Sequence, residues 1–519
     1  MKLLILFPNA TDYATVSTAV PILGGIAKNR NWQIEYFETY NYKKYIDTKY
    51  KKDESGGFKP GFDVEHEIKE FEQITIDLQN KIDEFHPDII AITALSPEYD
   101  FLLTFFPQII VPDNTKVVIG GIHATLLTDK TVASKLFDLV VMGEGEETFD
   151  EILYKIENKC PINNIKGTYF YDKTAEITED NWWNAVIKNA KRPLLTTEKL
   201  WEVEREFSFY SNHNDDYFLR PFDGKKIRKT EIEISRGCPY HCTYCANSAL
   251  KNFNRGLGRY VKTRPIESSI KQMKSLIEQF GINFFYFADE CFLCHPVKWI
   301  KEYMDAYKAE INLPYIFMSR AENVTDEKIE LLLSYDIRFQ ISIGVESGSD
   351  EILREVCERS CTNDKVVQAF KIINKHKIRS SAFFIVGFPF EKREDTWKTI
   401  ELCKRIKPSV ASISIFQTYP GVDLTTKCIE NGFIKEGAHA GLLTSDSLLT
   451  MPKPYLSAKE IKNLWRTFML YAALPKKYYK DIEKCEFDFD NNKDLYNKLL
   501  ELRWNKYDWA EIKHDKKIV

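Results

Sequence analysis

Arg236-Gly-Cys-Pro-Tyr-His-Cys-Thr-Tyr-Cys245 is the stretch from which the rest of the chain can be read. Its three cysteines, Cys238, Cys242 and Cys245, form a C-x3-C-x2-C array. The preceding Thr230-Glu-Ile-Glu-Ile-Ser235 alternates polar and apolar residues with the period of a strand. The array therefore falls on the loop at that strand's C-terminal end. Three thiolates so close together can hold three corners of an iron–sulfur cube. The fourth iron then has no protein ligand within the motif and stays open to substrate. A zinc knuckle would need a fourth ligand. His241 sits between two of the cysteines, a poor position from which to close a tetrahedron with them.

Upstream of the array, Lys2–Phe7, Trp32–Phe37, His86–Thr93, Lys116–Gly121 and Leu136–Met142 read as buried strands. Helices are expected over Thr18–Asn29, Glu65–Glu84 and Phe149–Ile156. This alternation predicts a Rossmann-like doubly wound α/β sheet over residues 1–158. Such sheets bind ligands beyond the carboxyl ends of their strands. Two glycine-bearing loops fall there, Gly120-Gly-Ile-His-Ala-Thr125 and Gly143-Glu-Gly-Glu-Glu-Thr148. Glycine lets the backbone approach a bulky flat ligand closely, although many strand-to-helix turns carry glycine without one. Tyr40–Val64 is polar and lysine-rich and reads as a surface excursion. Residues 159–229 lose clear periodicity and read as a linker, with one hairpin around Gly167–Ile177.

Downstream, a second alternating series begins. Strands are expected at Glu231–Ser235, Phe284–Ala288, Tyr315–Ser319, Phe339–Gly344, Ser381–Val386 and Val410–Phe416. The helices between them fall at Ile266–Gln279, Val297–Lys308, Asp326–Ser334, Lys365–His376 and Arg393–Ile406. Six β/α units at a spacing of about 35 residues fit a full or partial barrel over residues 230–430. Barrel sites lie at strand C-termini. The cysteine array falls there, and so do Asp289, Arg320, Glu346 and Gly387. An amphipathic helix capped by Ser457 and a further helix through Leu495–Arg503 predict a C-terminal helical cap domain, residues 431–519.

Composition narrows the class. A chain of 519 residues holds two or three domains at about 150 residues each. With 44% hydrophobic and 29% charged residues it has the balance of a soluble globular protein. A net charge of -4 gives no global basic field for nucleic acid. No apolar run approaches the roughly 20 residues of a transmembrane helix. Met1-Lys-Leu-Leu-Ile-Leu-Phe-Pro8 is too short for a signal peptide and reads as the first strand. Eleven cysteines without a secretion signal point to a reducing cytoplasm and to metal or redox use. The abundant Tyr and Phe suit either core filling or a large apolar substrate pocket.

The cysteine array after a first barrel strand resembles the radical S-adenosylmethionine (SAM) superfamily. Further matches come in order: Gly344-Val-Glu-Ser-Gly-Ser349 at the fourth strand, Val386-Gly-Phe-Pro-Phe390 at the fifth and Tyr419-Pro-Gly421 after the sixth. The N-terminal part, with Gly120-Gly-Ile-His and Gly143-Glu-Gly-Glu, is similar to the cobalamin (B12)-binding domain that precedes this barrel in one large subclass. The resemblance spans roughly residues 1–475. The Asp-x-His-x-x-Gly signature, whose histidine ligates cobalt in many cobalamin proteins, is absent, as is common in this subclass.

The resemblance implies that Cys238, Cys242 and Cys245 ligate a [4Fe-4S] cluster whose open iron chelates SAM. One electron then cleaves SAM to a 5'-deoxyadenosyl radical, which takes a hydrogen atom from substrate. Tyr244 matches the aromatic position near adenine. Glu346 is expected at the SAM ribose or amino group, and Gly387 and Pro389 at the adenine edge. Arg320 and Asp289 are candidates for SAM's charged end; an ordinary rim salt bridge explains them equally well. On the cobalamin side the candidates are Pro8, Asn9, Gly24 and Gly121, together with His123, Gly143 and Glu144. His123 could meet cobalt or the phosphate tail, or simply stabilise its own turn. Cys291-Phe-Leu-Cys294 and Cys357-Glu-Arg-Ser-Cys361 supply four further thiols, enough for an auxiliary cluster or zinc site if they converge. The alternative is four packing cysteines.

The implied function is cobalamin-dependent C-methylation of an unactivated carbon. The substrate would be a small molecule, lipid or peptide, and the electron donor a flavodoxin or ferredoxin type. The same parts would also serve another radical reaction, such as carbon–carbon coupling, cyclisation or ring rearrangement. A non-catalytic corrin- or metal-binding sensor is a third reading, against which the intact three-cysteine loop stands.

Overall fold

The structure, a computed structural model, describes residues 1–44, 67–175, 181–222, 224–438 and 446–509. The described residues fall into two units, one of 1–44, 67–217 and 249–265, the other of 218–248 and 266–509. Most of the excursion expected at Tyr40–Val64 lies outside the described residues.

The first unit is built on a seven-stranded sheet. Its strand order is Gln33–Glu38, Lys2–Phe7, Ile89–Thr93, Lys116–Gly120, Leu139–Val141, Thr168–Tyr171, Val186–Lys188. The first five run parallel. Leu3 to Leu6 and Ile89–Ile90 are fully buried. That is why these strands read as continuous apolar runs rather than as alternating ones. Helices Ala19–Asn29, Gln73–Phe85, Ser96–Phe105 and Glu146–Glu157 intervene. The order reverses between Lys2–Phe7 and Ile89–Thr93, the kind of switch point beside which doubly wound sheets hold ligands.

The segment expected as a linker differs. Thr168–Tyr171 and Val186–Lys188 extend this sheet as two antiparallel strands, the first paired with Leu139–Val141 and the second with the first. They cover what would otherwise be an open sheet edge. The hairpin expected within Gly167–Ile177 therefore has its second strand at Val186–Lys188 instead. Residues 218–229 belong to the second unit, where Leu219–Phe222 pairs antiparallel with Lys225–Glu233.

The second unit carries six parallel strands in sequential order: Lys225–Glu233, Phe284–Ala288, Tyr315–Arg320, Phe339–Glu346, Arg379–Val386 and Val410–Ile415. The first and last strands do not pair, so the sheet is a curled half-barrel. The C-terminal helices, expected as a separate domain, pack on its last two β/α units. In helix Ala458–Ala473, Trp465 donates to the Ile413 carbonyl at 2.7 Å, and Phe468 lies 5.5 Å from Phe384. Arg393 reaches Glu486, of the following helix, at 2.6 Å. The open edge of a half-barrel exposes apolar surface, and an amphipathic helix buries it. Ser457 starts that helix with a capping box, accepting from the Glu460 N–H while Glu460 accepts from the Ser457 N–H. Among the described residues no helix is long and apolar enough to cross a membrane.

Candidate functional site

The cysteine loop leaves the first half-barrel strand through Arg236, whose Nε pairs with Glu233 at 2.9 Å. Its far end is fixed by Thr243. The Thr243 hydroxyl donates to the Val356 carbonyl at 2.6 Å, its N–H to the Cys357 carbonyl at 3.2 Å, and its own carbonyl accepts from Leu424 at 2.9 Å. Between these anchors Tyr240 lies under the Arg320 guanidinium, 3.7 Å from ring centroid to carbon, and accepts from Asn323 Nδ2 at 2.8 Å. Arg320 Nη1 points to Cys242 Sγ at 3.5 Å. Its Nε meets Glu322 at 2.6 Å. Burial would raise the Glu322 carboxyl, but Arg320, with help from Cys361 and Arg359, brings it below its ordinary value. Arg320 is thus tied to the cysteine loop. Burial pushes the Cys238 thiol up to about 12 and Cys245 to about 11. A metal taken up at these thiols would displace their protons.

Beside this loop a cavity of about 150 Å³ is lined by Tyr244 and Glu346, by Phe383–Ile385 and Ser414–Gln417, and by Tyr419. It gathers Tyr244 and Glu346 at the carboxyl ends of the last two strands. Glu346 lies in the left-handed region at φ 66°, at a register shift in its strand. Such strain on a non-glycine residue costs about 1–3 kcal/mol and concentrates at functional sites. Sequence reasoning missed its partner. Arg359 Nη1 donates to Glu346 Oε1 at 2.8 Å and to the Tyr244 hydroxyl at 3.1 Å, while Nη2 donates to the Gly344 carbonyl at 2.6 Å. Arg359 lies inside Cys357-Glu-Arg-Ser-Cys361, where the flanking cysteines drew the reading.

Gly387 has φ 80°, and a Cβ there would meet Ile461 at 2.7 Å. Its N–H and that of Phe388 donate to the buried Glu391 at 2.5 and 2.9 Å, and Thr396 donates to the other oxygen at 2.8 Å. Burial raises the Glu391 carboxyl to about 7. Glu391, also unforeseen, thereby fixes the turn that carries Gly387 and the buried Pro389. Asp289 is engaged locally: it accepts from the Cys291 N–H at 2.8 Å and pairs with His295 at 2.8 Å. That matches the ordinary rim-pair alternative for Asp289.

The four further thiols divide. Asn323 Nδ2 lies 3.3 Å from both Cys291 and Cys294. Cys357 is buried beside Glu346 and Arg359, and Cys361 bonds Glu322. Among the described residues, the group of three metal-ligating atoms within 4.8 Å of one another is Asp326, Glu330 and His376, which includes none of the four. The Cys291–Cys294 pair and the Cys357 and Cys361 thiols thus have different partners in the fold.

In the first unit, Gly121 (φ 100°) and Gly143 (φ 80°) end adjacent strand-to-helix turns. Thr125 links them: its hydroxyl donates to the Gly121 carbonyl at 2.9 Å and accepts from the Gly143 N–H at 3.0 Å. A Cβ on Gly143 would have nothing nearer than 3.8 Å, and one on Gly145 nothing within 4 Å. The Gly143–Gly145 turn thus leaves open backbone, whereas a Cβ on Gly121 would lie 2.7 Å from the Ala94 carbonyl oxygen. Glu144 turns away from that opening, ion-paired with Lys262 and accepting from the Leu195 N–H at 2.9 Å. His123 is buried, stacked 3.9 Å from Tyr99 and bonded to Ser96 at 3.0 Å. These contacts tie its turn to helix Ser96–Phe105.

Two other candidates have internal roles. A Cβ on Gly24 would lie 2.5 Å from Phe209 and one on Gly25 1.8 Å from the Glu204 carbonyl. Residues 204–209 pack closely on these glycines. Asn9, next to the buried Pro8, donates to Glu38 at 2.7 Å and accepts from Thr11 at 2.8 Å. A cavity of about 600 Å³ lies elsewhere in this unit, along Trp32–Tyr42 and Glu206–Tyr217, and no glycine-loop residue lines it.

The residues present fit the implied cofactors. Three thiols share one anchored loop next to a pocket with a buried carboxylate, and a side-chain-free backbone turn lies at the carboxyl end of a parallel sheet. Comparison with known proteins agrees. The model of the radical SAM superfamily matches residues 232–403, and that of the B12 binding domain residues 58–153. The chain is 26% identical over 429 residues to an uncharacterised methyltransferase of Pyrococcus horikoshii, covering 80% of this chain and 87% of that one. It is 25% identical over 352 residues to the anaerobic magnesium-protoporphyrin IX monomethyl ester cyclase of Cereibacter sphaeroides, covering 66% of this chain and 53% of that one. Among solved structures, the radical SAM methyltransferase TsrM of Kitasatospora setae, with cobalamin and a [4Fe-4S] cluster bound, superposes with a TM-score of 0.61 at 13% identity, covering 97% of this chain and 100% of that one. From the cysteine loop, the half-barrel, the preceding doubly wound sheet and these matches, the chain belongs to the radical SAM superfamily, in its subclass with a B12-binding domain.

Proposed function

We propose that this enzyme methylates an unactivated carbon of its substrate. The observation that carries the reading is the presence, in one chain, of an open three-cysteine loop and a B12-binding domain. When bound, the cluster with SAM supplies a 5'-deoxyadenosyl radical, and cobalamin supplies a transferable methyl group. Cys238, Cys242 and Cys245 hold the cluster. Tyr244 and Glu346 hold the nucleoside side of SAM, with the Gly387–Pro389 turn at the adenine edge. Arg320 neutralises thiolate charge at Cys242. The glycine turns at 121 and 143–145 support the corrin. The chain's work is placement and exclusion of water and oxygen.

Cyclisation is the second reading, favoured by the likeness to the protoporphyrin ester cyclase. Substrate is a small molecule, lipid or peptide, and a flavodoxin- or ferredoxin-type protein supplies electrons. The test is anaerobic incubation of the reconstituted enzyme with a reductant, methyl-deuterated SAM and a cell extract of its host. Formation of 5'-deoxyadenosine together with a product carrying the deuterated methyl is expected. 5'-Deoxyadenosine with an unmethylated, cyclised product would select the second reading. No 5'-deoxyadenosine at all would restore the sensor.

A further inference from the structure

Lys262 stands out in the first unit. Its side chain is 1% exposed, and it is the one charged residue among the largest fully buried side chains. A buried ammonium persists only when paired, and Glu144 pairs it through one carboxylate oxygen. The other oxygen of Glu144 accepts from the Leu195 N–H at 2.9 Å. Glu144 lies between Gly143 and Gly145, so the pair clamps that turn from behind. At its front the Gly143 N–H is held by Thr125 at 3.0 Å.

Gly145 shows what the clamp serves. Its φ of -87° is open to any residue, so the backbone does not demand glycine. A Cβ there would touch nothing within 4 Å, so internal packing does not demand it either. A bare backbone that neither conformation nor packing requires leaves room for a ligand. The clamping residue comes from the segment 249–265, which follows Cys245 directly in the chain yet belongs to the first unit. That segment is held by Leu194, whose N–H donates to the Leu257 carbonyl at 2.7 Å, and by Lys191, which donates to the Phe253 carbonyl at 2.9 Å.

The geometry points to Lys262 as a positioning residue that acts through Glu144: their buried ion pair holds Gly143–Gly145 as a rigid, side-chain-free shelf on which the planar corrin lies. This rests on the cobalamin reading above. It assigns no contact between Lys262 and the cofactor.

The test uses the full chain with its cluster reconstituted, titrated with hydroxocobalamin and followed by visible absorbance. Three variants are compared with the parent: Lys262→Met, the pair Glu144→Gln with Lys262→Met, and Gly145→Leu. The pair variant removes both charges, so no unpaired ion remains buried and the fold is kept. A positioning role predicts cobalamin affinity lower by on the order of tenfold in the pair variant, as for other supporting-shell changes. The cobalamin-free melting temperature should be close to the parent's. Gly145→Leu should abolish binding by filling the shelf. Parental affinity in the pair variant, or a loss that only tracks a fall in melting temperature, overturns the role of Lys262. If the parent chain binds no hydroxocobalamin, or Gly145→Leu binds as the parent does, the shelf reading itself fails.

Discussion

Arg359 is the residue on which the proposed SAM pocket turns. It joins Tyr244, from the cysteine loop, to Glu346, at the end of the fourth half-barrel strand. Removing one partner of a buried ion pair costs about 3–5 kcal/mol, since the other charge is left unpaired. Arg359→Ala is therefore expected to weaken SAM binding by at least tenfold, measured by calorimetry on the reconstituted protein. Arg359→Lys should not restore it, because an ammonium cannot make the forked contact with Glu346, Tyr244 and the Gly344 carbonyl. Glu391 adds a pH dependence. Its carboxyl is raised to about 7 by burial, above the value it has unfolded. The folded state thus favours the protonated form. Its contribution is fully present below the ordinary carboxylate range and is lost as pH rises through about 7. Glu391→Gln, which can still accept from Gly387 and Phe388, should flatten the decline in unfolding free energy between about pH 5 and 8. Urea unfolding across that range would show it; an unchanged slope would refute the assignment.

At the scale of elements, periodicity carried the reading far. The central parallel strands and the long amphipathic helices were legible because burial on both faces, or on one stripe, leaves a plain pattern. The C-x3-C-x2-C array was legible because its spacing is local. Other features depend on residues distant in sequence. The Lys262–Glu144 pair spans 118 residues, and no local pattern announces it. Strands Thr168–Tyr171 and Val186–Lys188 are four and three residues long with mixed exposure, too short for a period to emerge. A glycine within a helix, such as Gly24, can serve a ligand or a neighbouring chain segment, and local sequence does not tell them apart. Gly25→Ala tests the packing explanation. Its methyl would collide with the Glu204 carbonyl, a backbone atom that cannot swing aside. Overpacking of this kind costs about 1–3 kcal/mol, and a lower melting temperature is expected. The same change at Gly145 should be nearly silent in stability.

For the whole molecule, the account rests on two units with separable cofactor duties. The second unit supplies thiols, an anchored loop and the pocket beside it. The first supplies a parallel sheet with the open Gly143–Gly145 turn at its carboxyl end. Changing Cys238, Cys242 and Cys245 together to Ala separates the two duties. The measurement is paired: 5'-deoxyadenosine formed on anaerobic reduction with SAM, and hydroxocobalamin bound per chain by visible absorbance. The account predicts no 5'-deoxyadenosine from the triple variant and cobalamin binding equal to the parent's. Loss of cobalamin along with SAM cleavage, in a chain that still melts cooperatively, would contradict the division of duties between the two units.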